Sequence, residues 1–220
     1  PNLPPPVREK AVDALLNQAE RTQSLLKALE AGQIEPVAIE AGARARLIEN
    51  PDTAISGRAR RIFTDQGSDR AKLVAGYRDV INAPGNGDRG KLVFEKNCAR
   101  CHMPRRKGGA RVGPDLSGVN NKTKEELLAS ILNPSYSIEP RFVNYLVTTK
   151  DGRMFDGVIA NETPAAITLR DGSDEGDEII LRKNIAEIRA SRISLMPDNL
   201  ERSLSRQDLA DLIAHLRAGL

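Results

Sequence analysis

Residues 90–102 read GKLVFEKNCARCH. The stretch holds both cysteines of the chain, Cys98 and Cys101, and one of its two histidines, His102, directly behind them. Leu92, Val93 and Phe94 mark a short helix that runs into the cysteines. Two cysteines with two residues between them suit three chemistries: a redox dithiol, half of a zinc site, or the thioether anchor of a c-type haem. The histidine separates them. In C-x-x-C-H the thiols can add to two haem vinyl groups, and the adjacent imidazole lies under the iron as proximal ligand. A tetrahedral zinc site needs two more ligands, and His215 is the only other Cys or His, so carboxylates would have to complete it. A thioredoxin-like dithiol is expected beside a βαβ pattern, which this chain does not show. The stretch therefore predicts one haem c, attached covalently through Cys98 and Cys101 with His102 as an iron ligand.

Beyond the motif the chain continues as a basic loop, MPRRKGGARVGPDL, and then as the helix KEELLASIL, opened by a capping box of Thr123 and Glu126 and closed before Pro134. From about residue 141 to 192 the hydrophobic period switches to two. FVNYLVTT, RMFDGVIA, AAITLR, DEIILR and IAEIRASRI read as five short strands, the first two joined by a hairpin at Asp151-Gly152. They predict a small, strongly bent antiparallel sheet or barrel. Ser205 caps a last helix, SRQDLADLIAHLRAG, with Leu209, Leu212, Ile213 and Leu216 on its buried face.

On the N-terminal side, APGNGDRG at 83–90 is punctuated by Gly and Pro and reads as a linker. Before it, residues 7–81 read as successive helices. VREKAVDALLNQAERTQSLLKALEAG places Val12, Leu15, Ala19, Leu26 and Leu29 on one stripe and stops at Gly32. A second helix covers about 36–49. A third follows Asn50-Pro51 with Ile55, Ala59, Ile62 and Phe63 inward, and a fourth starts at Ser68 with Leu73, Val74, Tyr77 and Val80. Short paired helices of this kind resemble a HEAT-type repeat. The expected organisation is a helical segment over 1–82 and a second domain over 83–220, the fold class being mainly α with a small antiparallel β insertion, an α+β chain.

Composition narrows the function. Aromatic residues make up 3% and tryptophan is absent, so the cores must be built from aliphatic side chains. A net charge of +3 from 33 basic and 30 acidic residues is too balanced for a nucleic-acid-binding face. No apolar run approaches the roughly 20 residues that span a bilayer, and the start, PNLPPPVREK, has no apolar core of a signal peptide. A mature or excised soluble chain is expected.

Gly90, Phe94, Cys98, Cys101 and His102 form the pattern G-x-x-x-F-x-x-x-C-x-x-C-H. With the GPDL of residues 113–116 and a C-terminal helix preceded by a methionine, it resembles class I cytochrome c. The stretches LNPSYSIEPRFVNYLVTTKDGRMFDGVIANET and ISLMPDNLERSLSRQDLADLIAHL are similar to the haem-binding domain found at the C-termini of large planctomycete and verrucomicrobial proteins. That likeness covers about residues 86–218 and includes the β insertion. It implies a cytochrome c-like haem domain in which the Pro114 carbonyl accepts the proximal imidazole N–H. It also implies a dehydrogenase-like partner or fused module, and a periplasmic or otherwise exported location.

Four side chains could fill the sixth iron position: Met103, Met154, Met196 and His215. Met103 follows the proximal ligand and cannot reach the opposite face. Met154 sits in a strand. His215 shares a helix face with Asp208 and Asp211, opposite the leucines, and reads as a solvated histidine paired with Asp211. Met196 stands before Pro197 in the loop ahead of the last helix, where resemblance to cytochromes c places the distal methionine. An iron held by imidazole and thioether passes single electrons and leaves no site for substrate, which implies an electron-transfer domain and not an enzyme. Two other readings stay open: an open-site haem enzyme or gas and peroxide sensor, if Met196 is labile, and a helical docking module with structural haem. Arg105, Arg106, Lys107 and Arg111 cluster behind the motif as a candidate docking rim for an acidic redox partner.

Overall fold

The computed structural model describes residues 5–34, 36, 39, 41–63, 66–102, 112–172 and 176–219. The chain divides into two compact units, each drawn from separated stretches: Pro1–Gln66 with Val143–Leu195, and Gly67–Phe142 with Met196–Leu220.

The first unit begins with helices α1 (Pro5–Leu16), α2 (Ala19–Glu30), α3 (Ala41–Ile48) and α4 (Thr53–Phe63). The single helix expected over 7–31 is two. Gln18 is extended (φ −140°, ψ 126°), and the Thr22 hydroxyl donates to the carbonyls of Leu15 (3.2 Å) and Gln18 (3.1 Å). Asn17 accepts from Arg46 at 3.2 Å, and the same guanidinium reaches Asp13 at 2.9 Å. The break is thus held by a partner 29 residues away, which periodicity cannot register. Leu26, Leu47 and Ala59 are fully buried at the centre of this helical core. Helix α4 starts two residues later than Asn50-Pro51 suggests: the Asp52 carboxylate accepts from the Ala54 N–H at 2.8 Å.

The same unit carries an antiparallel sheet of β1 (Tyr145–Thr149), β2 (Met154–Glu162), β3 (Ala166–Arg170), β4 (Glu178–Leu181) and β5 (Ile185–Ala190) in the order β4-β3-β2-β1-β5. All five expected strands are present. Gly152, with φ 84°, takes the left-handed position of the β1–β2 hairpin. Strands β4 and β5 are the two edges, yet only Arg182–Asn184 lie between them. A flat five-stranded sheet would part its edges by about 19 Å, whereas four residue steps span about 14 Å at most. The sheet therefore curls, helped by register shifts between Thr148 and Thr149 and between Ile159 and Asn161. Val147, Ile167, Leu169 and Ile180 fill its concave side. Ser191 donates to the Glu49 carboxylate at 2.7 Å, tying the end of β5 to the end of α3.

The second unit contains α5 (Gln66–Gly76), α6 (Asp79–Asn82), α7 (Gly87–Asn97), α8 (Ala99–His102), α9 (Lys124–Leu132) and α10 (Arg206–Ala218). The helix expected from Ser68 divides at Gly76, and Val80 falls on α6. The predicted capping box of Thr123 and Glu126 is made, and the predicted Ser205 cap is a second box, completed by Asp208. Thr123 and Glu126 exchange bonds of 3.1 and 2.7 Å, and Ser205 and Asp208 bonds of 3.1 and 2.8 Å. Leu209, Leu212, Ile213 and Leu216 are buried as the pattern requires, against Phe94, Leu128 and Leu132. Each such side chain contributes about 1.5–3 kcal/mol by burial.

Helix α10 is also covered on the face that reads as solvated. A Cβ on Gly90 would lie 1.9 Å from the Asp211 carbonyl oxygen, so α7 crosses α10 almost backbone to backbone. Asp211, 2% exposed, accepts from Arg89 (2.6 Å), from the Asn86 N–H (2.7 Å) and from Gln207 (2.8 Å). The expected Asp211–His215 pair gives way to this set; the His215 ring packs on Phe94 instead, centroids 5.7 Å apart. Chiefly the Arg89 guanidinium, then the Asn86 N–H and Gln207, hold the Asp211 carboxyl below its usual range against the cost of burial. A depressed carboxyl stabilises the fold above its unfolded pKa of about 3.9, and that contribution is lost as pH falls through the lower folded value. Asp211→Asn should cost about 2 kcal/mol at neutral pH. Urea unfolding from pH 7 to pH 2 should show the gap to the parent closing below about pH 4.

Candidate functional site

The site is built where α7 ends. Asn86 caps α7 by accepting from the Arg89 N–H at 2.9 Å. Three turns later the last helical bond runs from the Cys98 N–H to the Phe94 carbonyl (2.8 Å). The chain then makes one further turn, α8: the N–H groups of Cys101 and His102 both donate to the Cys98 carbonyl at 3.1 Å. One turn places residues three apart on the same side, so the Cys98 and Cys101 thiols share a face. Both are half-buried and unbridged.

His102 sits at the end of that turn with its Nδ1 2.9 Å from the Pro114 carbonyl oxygen. A carbonyl can only accept, so Nδ1 carries the proton and donates. Nε2 is then the ring nitrogen with a lone pair to offer a metal. The Gly113 N–H donates to the Cys101 carbonyl at 3.0 Å, folding the GPDL segment back onto the motif. The arrangement is two thiols on one turn followed by an imidazole of assigned tautomer. It suits a group that takes two thioether bonds and one axial nitrogen.

The segment also matches the cytochrome c family model over residues 87–219. The chain belongs to the cytochrome c family. No curated protein matches it. Membership brings covalently bound haem c and haem-based electron transport, roles in which such domains work with redox partners and are typically exported. No helix among the described residues is long and apolar enough to cross a membrane.

The residues of this cytochrome c fit that group. Burial, with the neighbouring Cys101 adding to it, pushes the Cys98 thiol up to about 11. That is the opposite direction from a C-x-x-C redox dithiol, whose attacking thiol is acidified. Cys98 at the end of α7, Cys101 and His102 in α8, and Pro114 in the loop that folds onto it are neighbours. Met196 is half-buried and opens the returning segment of the same unit. Met154 belongs to the other unit, 6% exposed in β2, with its sulfur accepting from Asn50 Nδ2 at 3.5 Å. Met103 and the cations Arg105, Arg106, Lys107 and Arg111 lie outside the described residues. Sequence reasoning passed over Gly113, which is buried against the His102 ring, and the Arg89–Asp211 pair that clamps the helix leading to the cysteines. The one signal for that pair was a carboxylate, Asp211, between leucines and four residues from Gln207 on α10.

Acid–acetone treatment of the purified protein should leave the haem on the polypeptide. In a Cys98→Ser/Cys101→Ser variant reconstituted with haem, the same treatment should carry the colour into the organic phase.

Proposed function

We propose that this chain passes single electrons through one haem c whose iron is held by His102 and Met196, in an exported compartment and in the service of a dehydrogenase-like partner. The observation that carries the reading is the 2.9 Å bond from His102 Nδ1 to the Pro114 carbonyl. It commits Nδ1 to the protein, leaves Nε2 as the ring nitrogen with a lone pair for iron, and raises the basicity of that nitrogen.

Haem c supplies a one-electron iron couple whose potential is raised by a thioether ligand. The chain does the rest. Cys98 and Cys101 hold the group on one helical turn, and Pro114 keeps the imidazole in a single orientation. Met196 is the methionine best supported as the second axial ligand: it shares a unit with the motif, and Pro197 behind it ends any regular structure. The Met154 sulfur is engaged with Asn50. The β insertion and the ISLMPDN stretch support the further reading that the chain is of the planctomycete and verrucomicrobial haem-domain type.

Met196→Ala should abolish the weak sulfur-to-iron band in the far red of the oxidised spectrum, lower the potential and admit carbon monoxide rapidly to the reduced protein. Met154→Ala should leave all three unchanged. The reverse pattern would assign the ligand to Met154, and fast carbon monoxide binding by the unmodified protein would make this an open-site haem protein instead.

A further inference from the structure

Gly113 is buried and does not need to be glycine for its backbone. Its φ lies outside the left-handed region, where Gly32, Gly152, Gly172, Gly176 and Gly219 are found. What it lacks is space. A Cβ at this position would lie 2.8 Å from His102 Cε1, 3.0 Å from Nδ1 and 3.3 Å from Nε2, so the missing methyl group is the seat of the imidazole ring. Carbon atoms in contact settle near 3.5–4.0 Å, and a Cβ could be accommodated only if the ring or the loop moved.

Neither can move without cost to the same bond. The ring is anchored through Nδ1 to the carbonyl of Pro114, the next residue along, while the Gly113 N–H is anchored to the Cys101 carbonyl at 3.0 Å. Pushing the ring away lengthens the Nδ1···O contact; pushing the loop away carries the Pro114 carbonyl with it. We infer that Gly113 is a positioning residue: by leaving its side-chain volume to the His102 imidazole, it fixes the plane of that ring and the strength of its bond to Pro114, and through them the electronic state of the iron. The inference rests on His102 being an axial ligand.

The test compares holoprotein carrying Gly113→Ala with holoprotein carrying Gly118→Ala, a nearby glycine whose Cβ would meet nothing within 4 Å. Gly113→Ala should change the spread of haem-methyl proton shifts in the oxidised protein, because those shifts follow the orientation of the axial imidazole plane. It should also raise the potential, because a weaker Nδ1–H donation leaves the ligand less basic. Gly118→Ala should match the parent in both. Parent-like methyl shifts and potential in Gly113→Ala would overturn the inference and leave the ligand assignment standing. A separate His102→Ala variant that keeps the parent's low-spin spectrum would overturn the ligand assignment itself.

Gly113→Ala could instead disturb folding or haem attachment, and a double-mutant cycle covers that outcome. The substitution should lower the unfolding midpoint by about 5 °C in the parent and by little in the His102→Ala background, where the ring is gone. Equal losses in both backgrounds would show that residue 113 packs against something other than the imidazole and would sink the proposal.

Discussion

Helix α7 can deliver the cysteines to their place only because Gly90 lets its backbone reach that of α10. A methyl group at Gly90 would sit 1.9 Å from the Asp211 carbonyl oxygen, closer than any packed carbon can come. Once the backbones touch, the side chains around the crossing have their positions set. Phe94, one turn on, is buried at 2% exposure and packs beside His215, and the next turn ends at Cys98. The Asp211 carboxylate at the crossing would be costly to bury alone, and its bonds from Arg89, Asn86 and Gln207 offset that cost. The arrangement is strong against sliding, because any displacement of α7 along α10 breaks several bonds to one buried anion.

Function follows from that rigidity. An electron-transfer centre needs its ligands held in one geometry through both oxidation states, since reorganisation slows the transfer. The turn after α7 fixes the spacing of the two thiols, and the GPDL segment returns to the same turn twice, through the Gly113 N–H and the Pro114 carbonyl. The imidazole is thereby restrained at its Cα, at Nδ1 and across its ring face. Burial of the Cys98 thiol fits a sulfur destined for a permanent thioether bond better than one that must ionise and exchange.

Much of this was legible in the sequence because it depends on neighbours along the chain. The C-x-x-C-H spacing, the capping box at Thr123, the N-cap at Ser205, the Gly152 hairpin and the period-two strands are all local signals, and each element they announce is present. The misreadings have one cause in common. The long first helix breaks at Asn17–Gln18, where Arg46 reaches across from α3. The α10 face bearing Asp211 reads as solvated because a carboxylate two positions from leucines ordinarily faces water; it is buried because α7 lies on it.

What the sequence by itself determined is the pair of thiols at C-x-x-C spacing, the imidazole directly behind them, and the type of each element, helix or strand, though not every helix break. Those properties are set by residue type and by spacings of two to four positions. Only the tertiary structure decided that the sheet groups with the first helices, that the Met154 sulfur is taken by Asn50, and that Gly113 keeps a place for a ring eleven residues earlier in the chain. Such facts depend on which surfaces meet. That is settled by the free energy of the packed whole, to which no short stretch of sequence has access.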